Sequence, residues 1–255
     1  MISNIGRKVI FIHPSEELQQ YFLEHVFKNG IELYILNDAQ KVYKVAELFP
    51  NAILFFNLDK VLDHQEWIKM IRIIHSDAKN KDITIGVFSK EDNPILQHVF
   101  LMDIGIRGGF IVLKKNIWHA VQIVNKVLEA NEAKGQRQSV RLNFQDSHVD
   151  DNLEVKIFTI EGVLLKGIIK SFSALGLLVE IDNSRHPSIP KDGIDKIIYY
   201  VCGEAHHISG LKLKTIAENR YFIWFKDFSD SDRDTIQEYV FNSLQKSFNK
   251  LLKLV

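Results

Sequence analysis

Arg137-Gln138-Ser139-Val140-Arg141 and Ser171-Phe172-Ser173-Ala174-Leu175-Gly176 are the two segments that decide how the chain is interpreted. The first places two guanidinium groups four residues apart, which puts both on one side of a helix or of a strand. Two forked, permanently charged donors can hold a phosphate bidentately or bind the O6/N7 edge of a guanine. The second places hydroxyls and a glycine at a turn between apolar runs, where a ligand can approach the backbone. Together the segments indicate a site for an anionic ligand that carries guanine.

This order of motifs, RxxxR followed by xSxxG, resembles the PilZ domain. The resemblance implies a small β-barrel that binds the bacterial second messenger cyclic di-GMP. It implies that Arg137 and Arg141 hold guanine and phosphate, and that Ser173 and Gly176 form the second motif. One position departs, because Ser171 stands where the family has Asp or Asn. Ser171 stays in the candidate site, but its short hydroxyl replaces a base-contacting group, a loss of ~1–3 kcal/mol for one charged or amide bond.

The composition indicates a globular protein of two domains. A chain of 255 residues exceeds the ~100–200 residues typical of one domain. Its 32 basic and 32 acidic residues balance, so no bulk field favours a nucleic acid polymer or a membrane surface. The single Cys202 cannot form an internal disulfide, which fits a reducing compartment. With no apolar signal segment and no long apolar run, we expect a cytoplasmic protein without membrane insertion.

The first 134 residues have the pattern of an α/β domain. Apolar, β-branched runs alternate with amphipathic helices, which favours a parallel sheet covered by helices on both faces. The expected strands are Lys8–His13, Ile31–Leu36, Asn51–Leu58, Ile83–Ser89 and Gly109–Leu113. This order resembles the receiver domain of response regulators, and the expected first domain is therefore residues 1–134.

The acidic residues that the receiver resemblance requires are displaced in this chain. The resemblance implies acids after the first strand that hold magnesium, but here that strand ends at His13, and Glu16 and Glu17 fall in the following helix. It also implies a phosphoryl-accepting Asp at the end of the third strand, where this chain has Asn57. An amide is a poor nucleophile and gives Mg²⁺ no negative charge. We interpret the domain as a pseudo-receiver used for contact.

A shifted phosphorylation site is the alternative for this domain. Asp59 lies two residues beyond Asn57, and Ser89 and Lys114 match the hydroxyl and lysine positions of receivers. Asp59 would serve as the acceptor only after a register shift of two residues. The chain would then be a phosphorylatable response regulator.

The second domain, residues 135–255, has the texture of a β-barrel. A polar helix end closes at Gly135, and short apolar strands with turn residues between them follow. The six expected strands are Val155–Ile160, Val163–Lys170, Leu177–Ile181, Lys196–Cys202, Ile208–Ile216 and Tyr221–Lys226. Six strands and a final helix that begins near Ser229 fit a closed or nearly closed barrel. The arginine motif lies at the domain junction, so a bound ligand could change how the domains face each other.

No other constellation of residues indicates catalysis. Cys202, His206 and His207 lack a fourth metal ligand at a recognised spacing, and adjacent histidines in a strand point to opposite faces. The chain has no phosphate-binding P-loop and no GxGxxG motif. We expect no enzymatic activity, no metal and no cofactor.

The sequence thus predicts a non-enzymatic cyclic di-GMP receptor that transmits second-messenger binding to an unidentified protein partner through interdomain rearrangement. The PilZ resemblance implies outputs such as bacterial motility or adhesion. A degenerate PilZ adaptor that works without nucleotide is the first alternative, and the phosphorylatable regulator is the second.

Overall fold

The computed structural model describes residues 6–113, 117–144, 153–181, 193–201, 204–217, 219–226 and 229–254. The chain forms two compact units, Met1–Gln138 with Leu252–Val255 and Ser139–Leu251. The predicted boundary between residues 134 and 135 stays a prediction.

The first unit alternates strands with helices, as the apolar runs predict. Its strands are β1 (Val9–Ile12), β2 (Leu33–Leu36), β3 (Ile53–Asn57), β4 (Thr84–Ser89) and β5 (Phe110–Val112). Its α-helices are α1 (Glu16–Phe22), α2 (Val42–Leu48), α3 (His64–Ser76), α4 (Pro94–His98) and α5 (Ile117–Ala130). Wider π-helical turns, Leu23–Phe27 and Val99–Ile104, extend α1 and α4, and short 3₁₀ turns, Ala39–Lys41 and Ala78–Asn80, precede α2 and follow α3.

The five strands form one parallel sheet in the order β2-β1-β3-β4-β5. This is the doubly wound order found in flavodoxin and CheY, in which ligands bind at the carboxyl ends of the strands. Every residue of β1, β2, β3 and β4 is buried, as expected for strands with helices on both faces. The receiver-like fold that the sequence predicts is confirmed.

Aromatic packing and one arginine hold this sheet together. The ring of Phe11 in β1 stacks on Phe22 of α1, with centroids 3.9 Å apart, and on Phe55 of β3 at 5.3 Å. At the opposite edge, the Arg7 guanidinium donates hydrogen bonds to backbone carbonyls before β3 and β4 and to the side chain of Asn131 after α5. Burial lowers the pKa of Arg7, although Asp82 opposes that effect. Arg7 thus joins three strand ends to the last helix of the unit.

The second unit is an antiparallel sheet followed by a helix. Its strands are β6 (Leu142–Asn143), β7 (Glu154–Thr159), β8 (Leu164–Ser173), β9 (Gly176–Ile181), β10 (Ile194–Val201), β11 (Glu204–Ser209), β12 (Leu211–Ala217) and β13 (Arg220–Phe225). The helix α6 spans Asp230–Leu254, and the Ser229 hydroxyl accepts a hydrogen bond from the backbone N–H of Asp232 in its first turn.

The strand order β11-β10-β7-β8-β9-β13-β12, with β6 beside the end of β8, makes one curled sheet. β11 and β12 lie at opposite ends of this order, yet only Gly210 separates them in the chain. Two strands joined by one residue must have adjacent ends, so the edges of the sheet meet at Gly210. The predicted fold class of a receiver-like α/β domain followed by a PilZ-like barrel with a C-terminal helix is confirmed.

Two features of the sheet differ from the six strands expected. The predicted strand Ile208–Ile216 is two strands, because Gly210 adopts φ +65° and turns the chain from one sheet edge to the other. The two-residue strand β6 was not expected, since a segment so short carries no readable alternation.

Alternating burial gives this sheet an inner and an outer face. Phe172 of β8, Leu177 of β9 and Ile223 of β13 are fully buried. On the other face Leu178, Phe222 and Trp224 are partly exposed, whereas Ser171 and Ser173 of β8 are also buried. The Phe172 ring packs edge-on against Tyr199 of β10 and Tyr239 of α6, with centroids 5.2 and 6.1 Å apart. Burial raises the pKa of the Tyr199 phenol, with the charge of Asp232 adding to the effect. The helix therefore helps to close the barrel core.

None of the described helices combines the length and apolar composition needed to cross a lipid bilayer.

Candidate functional site

The turn between β8 and β9 contains Ser173 and Gly176, which are register partners at the start of the hairpin. The Ser173 hydroxyl donates to the Gly176 carbonyl at 3.1 Å and accepts the N–H of Leu175 at 3.4 Å. Its single hydroxyl proton is therefore already donated to a hydrogen bond within the turn. Towards a ligand, this hydroxyl can act only as an acceptor.

Gly176 is required by close backbone packing. A Cβ atom at this position would lie 2.2 Å from the carbonyl oxygen of Ile223 in the neighbouring strand β13. Backbone atoms at that distance cannot rotate away, so a larger residue forces β9 and β13 apart. The structure gives this glycine a packing role, whether or not a ligand also approaches it.

A row of paired residues crosses the outer face of the sheet from β6 to β12. Asn143 lies opposite Ser171, Ser171 opposite Leu178, Leu178 opposite Phe222, and Phe222 opposite Lys214. We call these five residues the Asn143 row. Directly opposed residues of an antiparallel pair project their side chains on the same face, with Cβ atoms about 4.5–5.5 Å apart. Hydroxyl, amide, aromatic and ammonium groups therefore share one surface.

A second, parallel row starts at the turn. Ser173 pairs with Gly176, Gly176 with Trp224, and Trp224 with Lys212. We call it the Ser173 row. The rings of Phe222 and Trp224 meet edge to face between the two rows, with centroids 4.6 Å apart. The outer face thus carries adjacent aromatic rings flanked by two exposed lysines.

Arg141 belongs to the same face. It immediately precedes β6, and its guanidinium carbon lies 5.5 Å from the centroid of the Phe222 ring. Asn143 pairs with Ser171 in the row that contains Phe222, and the Arg141 guanidinium lies beside that same ring. The structure therefore brings Arg141, Ser171 and Ser173 of the predicted site to one face of the second unit's sheet, with the two serines buried.

Arg137, the first arginine of the motif, belongs to the first unit and is partly exposed. Its role in ligand binding stays a prediction, as do the ligand-binding roles of Arg141, Ser171, Ser173 and Gly176.

The sequence analysis missed Asn143, Phe222, Lys212 and Lys214 as candidate site residues. A signal existed for three of them, because Lys212 and Lys214 on β12, and Phe222 with Trp224 on β13, follow the period-two pattern of one strand face. No comparable signal marks Asn143, whose position depends on the pairing of β6 with β8.

A salt-bridged groove lies next to the Asn143 row, on the side away from the Ser173 row. Its volume is about 420 Å³, and its lining includes Lys166 and Glu180. The Glu180 carboxylate accepts a hydrogen bond from Arg220 at 2.8 Å and lies 3.6 Å from the Lys170 ammonium. The Arg220 hydrogen bond lowers the pKa of Glu180, assisted by Lys170. The Glu180 carboxylate is therefore paired with two cations at the edge of this groove.

In the first unit, the residues at the receiver's phosphoryl-accepting and magnesium-binding positions lie at the carboxyl ends of the strands. The buried Asn57 donates its amide N–H to the His13 carbonyl at 2.9 Å and accepts the backbone N–H of Asp59 at 3.2 Å. Both ends of this amide are therefore bonded to backbone. Glu16 and Glu17 are exposed on the first turn of α1.

Asp59 is also held by neighbours. One carboxylate oxygen accepts the Ser89 hydroxyl at 3.3 Å, and the other accepts the N–H of Lys90 at 2.7 Å. Both oxygens of the alternative acceptor are thus engaged. Lys114, the expected receiver lysine, lies outside the described residues.

The histidines of β11 take part in strand packing. His206 stacks on the Tyr199 ring at 5.3 Å, and His207 pairs in register with Ile198. Within the described part of the chain, no cluster of three His, Cys, Asp or Glu side chains could hold a metal ion. Cys202 lies outside the described residues.

The sequence matches no protein-family model and no curated protein. Solved structures that resemble parts of the chain include both domain types. The E. coli protein YcgR in complex with c-di-GMP is 13% identical over 48% of this chain and 52% of its own, with a TM-score of 0.38. The Vibrio cholerae chemotaxis response regulator CheY4 is 16% identical over 48% of this chain and 99% of its own, with a TM-score of 0.39.

The Bacillus subtilis inhibitor of motility (MotI/DgrA) is 17% identical over 45% of this chain and 52% of its own, with a TM-score of 0.32. This chain therefore matches about half the length of YcgR and of MotI/DgrA. At these TM-scores the fold assignment stands on the strand order and register described above. By that order, the chain is a receiver-like domain followed by a PilZ-like barrel.

Proposed function

We propose that the protein is a non-enzymatic effector that binds cyclic di-GMP on the outer face of its barrel and passes the signal to a protein partner. The observation that carries the proposal is the position of Arg141, whose guanidinium lies against the outward Phe222 ring. Ser171 and Ser173 lie on the same face of the sheet, where both are buried beside the partly exposed rings.

The chemistry of this face fits the proposed ligand. Cyclic di-GMP carries two phosphates and two guanines, so a receptor needs cations and flat surfaces. Arg141, Lys212 and Lys214 supply positive charge, and the Phe222 and Trp224 rings supply stacking surfaces. Because the whole chain carries no net charge, the attraction of this cluster for anions is local.

Transmission belongs to the same proposal. Arg137 and Arg141 lie close after the predicted junction, and the PilZ resemblance implies motility or adhesion as the output. In this proposal the receiver-like unit contacts the protein partner in the bacterial cytoplasm, and its bonded Asn57 serves structure instead of phosphotransfer.

The test is a calorimetric titration of cyclic di-GMP into the full chain. We expect micromolar or tighter binding that is lost in Arg137→Ala/Arg141→Ala. The matched control is Arg72→Ala/Arg233→Ala, which removes the same charge from two exposed helix positions. Absence of heat and of thermal stabilisation at millimolar nucleotide contradicts the proposal and favours an adaptor that works without nucleotide.

A further inference from the structure

Asn143 occupies a position that the arginine and serine motifs do not include. In the antiparallel register of β6 and β8 it lies directly opposite Ser171, so the two side chains share the outer face. It lies two residues after Arg141 in the chain. Asn143 is partly exposed, and its amide makes no hydrogen bond to any described residue.

The other polar groups of this face do not supply hydrogen-bond partners for all the edge atoms of a guanine. Guanine presents O6 and N7 as acceptors and its N1–H and N2–H₂ groups as donors. Arginine and lysine only donate, so Arg141 and the two lysines can satisfy O6, N7 or phosphate but not the N–H groups. Ser173 has an acceptor, but its side chain is only 2% exposed and is bonded within the turn. A carboxamide contains an acceptor and two donors on one rigid plane.

We propose that Asn143 is the base-reading residue of the nucleotide site, with its amide oxygen accepting from a guanine N–H. This inference rests on the proposed binding of cyclic di-GMP. Ser171 stands where the PilZ family has Asp or Asn, and its hydroxyl is too short to reach as far as an amide. Across the strand pair, Asn143 supplies the group that Ser171 lacks. The amide that the PilZ family carries at the position of Ser171 is here carried by Asn143, on the neighbouring strand and on the same face of the sheet.

The register permits a reciprocal test. Asn143→Ser/Ser171→Asn moves the amide across the strand pair and keeps the composition of the face. In calorimetric titrations of the full chain with cyclic di-GMP, we expect Asn143→Ala to bind at least about tenfold more weakly than wild type, equivalent to about 1.4 kcal/mol. We expect the exchanged variant and Asn143→Asp, which keeps the acceptor, to bind within about threefold of wild type, less than about 0.7 kcal/mol.

Selectivity gives a readout that a structural role would leave unchanged. Adenine lacks the N1–H and N2–H₂ donors, so we expect Asn143→Ala to lower the preference for cyclic di-GMP over cyclic di-AMP. Asn219→Ala is the matched control, because Asn219 is also partly exposed and follows β12 on the same sheet. Thermal unfolding of each ligand-free variant reports whether it is folded.

The outcomes separate the two proposals. If wild type does not bind cyclic di-GMP, the proposed function fails and this inference fails with it. If wild type binds and Asn143→Ala behaves like Asn219→Ala, the proposed function stands and the inference is overturned. If Asn143→Ala does not fold, Asn143→Asp decides: affinity within about threefold of wild type supports the inference, and weaker binding with normal melting overturns it.

Discussion

The guanidinium carbon of Arg141 lies 5.5 Å from the centroid of the Phe222 ring, on the outer face of the barrel. The ring gives a permanently charged side chain a fixed resting place before β6. A cation held in one place loses less conformational entropy when it binds an anion than one that moves freely. The contact therefore favours ligand binding because it holds the Arg141 guanidinium in place.

Phe222→Leu should weaken cyclic di-GMP binding by about two- to fivefold, since an exposed cation–π contact is worth about 0.5–1 kcal/mol. Calorimetry checks this. Phe158→Leu is the matched control, because Phe158 on β7 has the Lys196 ammonium 5.2 Å from its ring centroid. Equal effects of the two substitutions would show that the Arg141 contact has no special role.

Gly176→Ala should lower the free energy of unfolding by about 3 kcal/mol or more, because the new Cβ would lie 2.2 Å from a backbone oxygen. Urea denaturation monitored by tryptophan fluorescence measures the change. Gly162→Ala is the comparison: Gly162 has φ +82° but open space around its Cβ position, so only the backbone penalty of about 1–2 kcal/mol applies. A smaller loss for Gly176→Ala than for Gly162→Ala contradicts the packing role.

His13 should make the protein less stable in mild acid. Burial lowers the pKa of this imidazole, whose Nε2 atom is buried and has no hydrogen-bond partner among the described residues. The unfolded chain, with an ordinary histidine pKa of about 6.5, then binds a proton that the folded chain does not. The free energy of unfolding therefore falls as the pH drops below about 6.5 and levels off below the folded pKa.

The substitution that checks this effect is His13→Asn, because His13 has φ +50° and asparagine tolerates that conformation. Urea unfolding at about pH 7.5 and 5.5 should show that the free energy of unfolding falls less on acidification in this variant than in wild type. His119→Asn, at an exposed position on α5, is the control. An unchanged acid loss in His13→Asn would assign the pH dependence to other groups.

Acetyl phosphate with Mg²⁺ should leave the protein unmodified. Asn57 has no carboxylate to accept the phosphoryl group, and both oxygens of Asp59 are held by Ser89 and Lys90. Intact-mass spectrometry detects an adduct, and a receiver that is known to be phosphorylated serves as the positive control. An adduct that disappears in Asp59→Asn would establish the response-regulator alternative.

The first unit was largely predictable because its strands are fully buried. A short continuous apolar run such as Ile53–Asn57 is typical of a strand covered on both faces, and the cap at Ser15 places the start of α1. The π-helical turns after α1 and α4 were not predictable, since the same apolar spacing continues through them.

The barrel was harder to predict because its strand boundaries and strand order depend on which distant strands pair with each other. Nothing local in Ile208–Ile216 shows that the two sides of Gly210 pair with different strands, β10 and β13. The candidate site shows the same limit. The motif identifies Arg141 and Ser173, but the position of Asn143 across from Ser171 follows from a register that spans distant residues.

The one-residue link at Gly210 also has a consequence for how the second unit folds. The β10–β11 and β12–β13 hairpins are local, and they attach to opposite sides of the β7–β9 meander. Because Gly210 ties the hairpins together, neither can dock in register while the other stays far from its own edge. Docking of one hairpin, β10 on β7 or β13 on β9, therefore brings the other close to its own edge and favours the second pairing. We expect one slow, concerted step in the folding of this unit, with no stable species that has docked one hairpin alone.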